Sequence, residues 1–158
     1  MAKIFIGGEY SGRLRDEFIR LGHDALSCDF LPTESPGPHF QGDMFSPKIL
    51  NQEWGLAILH PTCTYVCNSG VKHLYIGGRK ENGLNEIRWE LMKAGAFTIR
   101  ACLQFPAKLR AVENPIMHGH ALAIIGRRQD QIVQPNWFGD RQLKATGWWL
   151  DGLPGAAH

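Results

Sequence analysis

The stretch Trp54-Gly55-Leu56-Ala57-Ile58-Leu59 constrains this chain more than any other, because a largely apolar run followed at once by His60-Pro61 reads as a buried strand with a forced end. Proline supplies no ladder donor and biases the residue before it toward extended geometry, so the strand stops there and a loop begins. The chain opens on the same logic. Lys3 to Gly7 is a short apolar run closed by glycines, and Ser11 then precedes Leu14, Phe18 and Leu21 at helical spacing, with Gly22 as the stop. Residues 24–29 form a second predicted strand with Asp29 at its carboxyl end. Residues 32–42, with Pro32, Pro36 and Pro38, read as a loop leading to Gly42-Asp43-Met44.

Farther along, residues 61–82 make a loop longer than ordinary connections, which marks a functional or mobile segment. From residue 85 to 105, Trp89, Met92, Ala96, Ile99 and Leu103 recur at three- and four-residue steps, predicting one long amphipathic helix with those residues in the core. Residues 108–113 predict a strand broken by Asn114-Pro115, and 131–134 a last strand before a tryptophan-rich tail. Strands alternating with helices predict an α/β, Rossmann-like fold: a mostly parallel sheet with helices on both faces, binding ligands beyond the strands' carboxyl ends. At 158 residues, one domain over 1–158 is expected.

A formal charge of +2 excludes a strongly basic nucleic-acid binder, so phosphate contacts must come from local patches. Two exist: Lys72, His73, Arg79 and Lys80 in one loop, and Arg127, Arg128, Arg141 and Lys144 near the end. No run of eighteen apolar residues is present and no signal-peptide pattern opens the chain, which predicts a cytoplasmic protein with no membrane partner. Cys28, Cys63, Cys67 and Cys102 are too scattered for a disulfide scaffold and read as reduced thiols.

Three polar groupings lie where predicted strands end. Gly8-Glu9-Tyr10-Ser11-Gly12 follows a strand and opens a helix, whose first amides attract anionic or polar ligands, although a plain turn has the same letters. His60-Pro61-Thr62-Cys63 presents a thiol just past a buried strand, either as a nucleophile beside Lys72 and His73 or as a packed turn residue. Glu113-Asn114 offers a carboxyl and an amide to a heterocycle edge, or else faces solvent. His60, Cys63, Cys67 and His73 match no common zinc spacing, and no metal is expected.

Taken together and in this order, the motifs resemble the DNA cytosine (carbon-5) methyltransferases. Gly8, Glu9, Tyr10, Ser11 and Gly12 are similar to that family's glycine-rich first motif, Asp29 to its acidic ribose ligand, and Asp43 to its adenine contact. Residues 59–70, which contain His60-Pro61-Thr62-Cys63, resemble its catalytic loop, and Glu113-Asn114-Pro115 its Glu-Asn partner; Arg127-Arg128-Gln129-Asp130-Gln131 stands where the family has Gln-x-Arg-x-Arg. The chain also resembles short methyltransferase-like proteins of bacteriophages in its Glu-Tyr-Ser-Gly-Arg, Cys-Asn-Ser-Gly and Gly-Arg-Arg-Gln-Asp-Gln stretches.

The resemblance implies a methyltransferase core that binds S-adenosylmethionine at Gly8–Gly12, Asp29, Asp43, His60 and Pro61. It implies Cys63, Glu113 and Asn114 as the catalytic set. The DNA or nucleotide substrate would meet Asn68, Ser69, Lys72, Arg127, Arg128, Gln129 and Gln131. A phage-encoded chain would act in the host cytoplasm. Tyr10 and Arg13 replace two glycines of the family's loop, Thr62 and Thr64 replace its Pro and Gln, and Gln129 and Gln131 replace its two arginines. No target-recognition domain is expected. A small, exposed or single-stranded substrate fits that economy; so do a transferase for free nucleotides or RNA and an idle fold that binds nucleotide, nucleic acid or a host protein.

Overall fold

A computed structural model describes residues 1–141 and 143–155. It has an α/β fold built on a seven-stranded, mostly parallel mixed sheet, with strands in the order β3-β2-β1-β4-β5-β7-β6. The strands are β1 (Lys3–Gly7), β2 (Asp24–Asp29), β3 (His39–Gln41), β4 (Trp54–Leu59), β5 (Ala107–Pro115), β6 (Gln131–Val133) and β7 (Thr146–Asp151). The helices are α1 (Arg13–Arg20), α2 (Pro47–Leu50), α3 (Glu86–Leu103) and α4 (Gly119–Ile125). Contacts group these elements into two compact units.

The first unit comprises Met1–His60, Gln104–Val112 and Leu150–Pro154. In it β1 pairs in parallel with both β2 and β4, β2 with β3, and β4 with β5. Ile4, Ile6 and Ala25 are buried under Leu14 and Phe18 of α1, so the helix turns its apolar side to the strands. Phe5 stacks on Phe105 with centroids 5.1 Å apart and tilts against Trp54 at 5.0 Å. Helix α1 closes with Gly22 N–H donating to Ile19 O and His23 N–H to Phe18 O, which satisfies two carbonyls of its last turn.

The second unit comprises Pro61–Leu103, Glu113–Trp149 and, at the C-terminus, Gly155. Helix α3 buries Met92, Ala96, Ile99 and Cys102, and it packs on α4. Trp89 and Leu103 of the predicted stripe are only half-buried, and Trp89 instead donates its indole N–H to Leu74 O at 2.9 Å. Strands β6 and β7 pair antiparallel.

Several expectations need correction. The segment 32–42 contains β3, a three-residue strand that its prolines conceal. Strand β5 runs through Asn114 to Pro115 rather than breaking before the proline, which takes the last strand position, where no further ladder donor is required. The long segment 61–82 is not featureless but folds into three 3₁₀ turns, Asn68–Leu74, Ile76–Gly78 and Lys80–Asn82. The tryptophan-rich tail is a strand, β7.

Candidate functional site

In the first unit the chain leaves β1 toward β2 and leaves β4 toward β5, so a switch point lies between the carboxyl ends of β1 and β4, where doubly wound sheets hold ligands. The backbone there is drawn together closely. Gly8 and Glu9 N–H both donate to Cys28 O, at 2.8 and 3.0 Å, and His60 N–H donates to Gly7 O at 2.8 Å. Gly8 has φ +76°, and a Cβ on it would stand 2.3 Å from His60 O, so only glycine allows this approach.

Around this point the side chains are acceptors. Ser11 O–H donates to Glu9 Oε1, while Glu9 Oε2 is buried with no hydrogen-bond partner. Asp29 Oδ1 accepts from Leu31 N–H at 3.0 Å and Asp43 Oδ1 from Phe45 N–H at 2.9 Å, so each carboxylate has one oxygen tied to its own loop. A buried carboxylate oxygen without a donor is costly, and a ligand bearing ammonium or hydroxyl donors would satisfy it. Burial pushes the Cys28 thiol up to about 12, with the charges of Asp29 and Asp43 adding to the effect, so this cysteine is an inert wall.

Below this loop sits a residue the sequence did not flag. Arg15, fully buried, donates from Nη1 to Ser27 Oγ and Thr33 Oγ1, from Nη2 to Ser35 O at 2.8 Å, and from Nε to Asp16 Oδ1 at 2.8 Å. The guanidinium beside Asp16 holds its carboxyl below the usual carboxylate range, and the Ser35 hydroxyl adds to that. Gly12 and Gly37 both pack on Arg15: a Cβ on either would fall within 2.4 to 2.7 Å of the guanidinium. Gly12 thus makes room for an arginine of its own helix.

The second unit carries the thiol. Asn114, 1% exposed, donates from Nδ2 to Pro61 O at 2.8 Å, while Asn68 N–H donates to Ile116 O at 2.9 Å and His118 N–H to Val66 O at 3.2 Å. Three bonds therefore lace the loop bearing Cys63 to the strand end bearing half-buried Glu113. Gln129 secures the same strand end, donating from Nε2 to Asn114 O at 2.9 Å. Asn114 Oδ1 is buried without a partner.

Cys63 is half-buried and lines a cleft of about 310 Å³ together with Asn68, Ser69, Pro115 and Lys144. Among the described residues, Lys144 rather than Lys72 is the cation that lines this cleft. Lys72 and His73 line a different cleft with Arg88. Arg127 and Arg128 line a third, and Arg127 Nη2 pairs with Asp130 Oδ2 at 2.6 Å. Gln131 lies in β6, in register with Trp148. Cys67 shares the Cys63 cleft, its Sγ 3.1 Å from Ser69 Oγ.

No protein-family model and no curated protein matches this chain. Among the described residues, no group of three or more His, Cys, Asp or Glu side chains stands where it could hold a metal ion. No helix is long and apolar enough to cross a membrane, again among the described residues.

Sequence reasoning missed Arg15, Arg88 and His118. His118, 3% exposed, accepts from Ala121 N–H at Nδ1 and caps α4, with Nε2 3.3 Å from Tyr65 O. Its place just before a short helix was the available signal, but histidine is not among the usual capping residues.

Proposed function

We propose that the protein is an S-adenosylmethionine-dependent methyltransferase of Rossmann-like fold acting on carbon 5 of cytosine in DNA. The observation that carries this reading is the clamp from Asn114 Nδ2 to Pro61 O, which fastens the Pro-x-Cys loop to the strand end bearing Glu113. A nucleophile and an acid must be held in fixed relation to act on one ring, and this bond ties their backbones. The strand order, with its switch point between β1 and β4, supports the Rossmann-like class.

For the cofactor, the acceptors at Glu9, Asp29 and Asp43 fit a group rich in donors, such as an amino acid ammonium and a ribose. When bound, S-adenosylmethionine supplies the methyl group. Cys63 as thiolate adds to ring carbon 6 of cytosine, and Glu113 holds a proton at ring nitrogen 3, so that electron density gathers at carbon 5. Once carbon 5 carries the methyl group, its proton passes to water, and the electron pair of that bond restores the ring double bond as the Cys63 sulfur leaves carbon 6 as thiolate. Lys144 lines the cleft of Cys63. In a duplex the base would have to be turned out of the stack, and a single strand avoids that cost.

The cofactor half is tested by thermal melting and calorimetry. S-adenosylmethionine or S-adenosylhomocysteine near 100 times its dissociation constant raises stability by about 2.7 kcal/mol. Absence of heat and of any shift at millimolar ligand would sink this half.

A further inference from the structure

The cleft of about 540 Å³ in the second unit, lined by Lys72, His73, Tyr75, Asn85 and Arg88, takes no part in the chemistry above. Among the described residues its lining carries two permanent cations and an imidazole, and no carboxylate. Arg88 is held in place from two sides: its guanidinium lies 4.5 Å over the Tyr65 ring, and Nη2 donates to Thr64 O at 3.1 Å. Its Nε is nevertheless buried with no hydrogen-bond partner. A guanidinium fixed by stacking and by one bond at Nη2, lining a polar cleft beside a lysine, is an arrangement that grips a phosphate.

We infer that this cleft is a phosphate-binding site formed by Lys72, His73, Asn85 and Arg88. The phosphate is either the terminal group of a nucleotide or the diester of a strand, and in both cases it holds the substrate whose base goes to Cys63. The inference deepens the proposed function and rests on it only for the identity of that base. Arg88 joins the two places, since the carbonyl it binds belongs to Thr64, next in the chain to Cys63. Arg88 is accordingly a positioning residue for the catalytic loop as well as a ligand for phosphate.

Fluorescence anisotropy with a labelled single-stranded oligodeoxynucleotide, and competition by deoxycytidine monophosphate against deoxycytidine, test this on the whole chain. Lys72→Gln, at an exposed position where folding is not at stake, weakens the oligonucleotide several-fold and lowers the slope of log affinity against log salt by about 1. Arg100→Gln, exposed on α3 and outside the cleft, changes neither. Competition by the monophosphate but not the nucleoside assigns a terminal phosphate; competition by neither, with the Lys72 effect intact, assigns a diester. Arg88→Gln, checked by melting, weakens the same probes. If Lys72→Gln matches wild type, or loses no more than Arg100→Gln, the inference is overturned. Phosphate binding through Lys72 without methyl transfer would leave this site standing while the methyltransferase reading fell.

Discussion

The two compact units solve the same problem, burying polar backbone, in different ways. The first relies on parallel strands whose ladders use up the amides, and the large polar side chain buried in it, Arg15, is held by four hydrogen bonds, to Ser27, Thr33, Ser35 and Asp16. The second relies on 3₁₀ turns and on side chains that reach across to carbonyls far away in sequence: Asn114 to Pro61, Arg88 to Thr64, Trp89 to Leu74, Gln129 to Asn114. Regular ladders tolerate a loss at one bond, whereas a loop held by single side chains depends on each. The polar atoms left buried and unpartnered in the second unit, Asn114 Oδ1, Arg88 Nε and Gln134 Oε1, belong to that scaffolding.

The sharpest way to break the contrast is to remove one large buried side chain from each unit. Ile99→Ala in the second unit opens a cavity and costs about 2–5 kcal/mol by chemical denaturation. Arg15→Ala in the first removes a similar volume and strands Ser27, Thr33 and Ser35 O, costing on the order of 3 kcal/mol. The same loss with Arg15→Met, which refills the volume, attributes the cost to the orphaned acceptors; recovery attributes it to packing.

A smaller effect sharpens the comparison inside the second unit. Burial holds His118 below its ordinary value, with the His120 charge acting the same way and the bond to Tyr65 O partly opposing. Nδ1 must stay unprotonated to accept from Ala121 N–H. Because the folded pKa is the lower one, the unfolded chain binds the proton more readily. Stability is therefore constant above about pH 6.5 and falls as the pH drops below it. The lost cap is worth about 1 kcal/mol. His118→Asn keeps an acceptor that cannot titrate, so its melting midpoint between pH 7.5 and 5 should fall less than that of wild type. Parallel curves would show that the α4 cap plays no part.

The same contrast explains what the sequence disclosed. Strands β1, β2 and β4 were legible to their end residues, because short, largely apolar stretches that end at glycine, aspartate or a following proline carry their own limits. Helix α3 was legible within a few residues from its stripe, though Cys102 rather than Leu103 completes the buried face. Strand β3 was hidden by its prolines and its length, and α4 by a glycine at its start. Arg15 was invisible because hydropathy assigns arginine to the surface, and nothing local signals partners twelve to twenty residues away.

For the site, the residues of the Cys63 loop were legible as a group, but its neighbours were not. Asn114 reaches Pro61 across 53 positions, and Lys144 lines the Cys63 cleft from a segment that looked like tail, while Lys72, nearer in sequence, lines another cleft. Such contacts depend on how the chain returns, which spacing alone does not encode.

The central claim is that Cys63 carries the methyl-transfer chemistry on cytosine. Nucleoside mass spectrometry of DNA incubated with the protein and S-adenosylmethionine tests it most directly. Wild type should yield 5-methylcytosine, Glu113→Gln should yield it more slowly, Cys67→Ser should retain substantial activity, and Cys63→Ser should yield none while keeping its melting midpoint. Undiminished 5-methylcytosine from Cys63→Ser, or none from wild-type protein shown to bind both cofactor and DNA, would contradict the account.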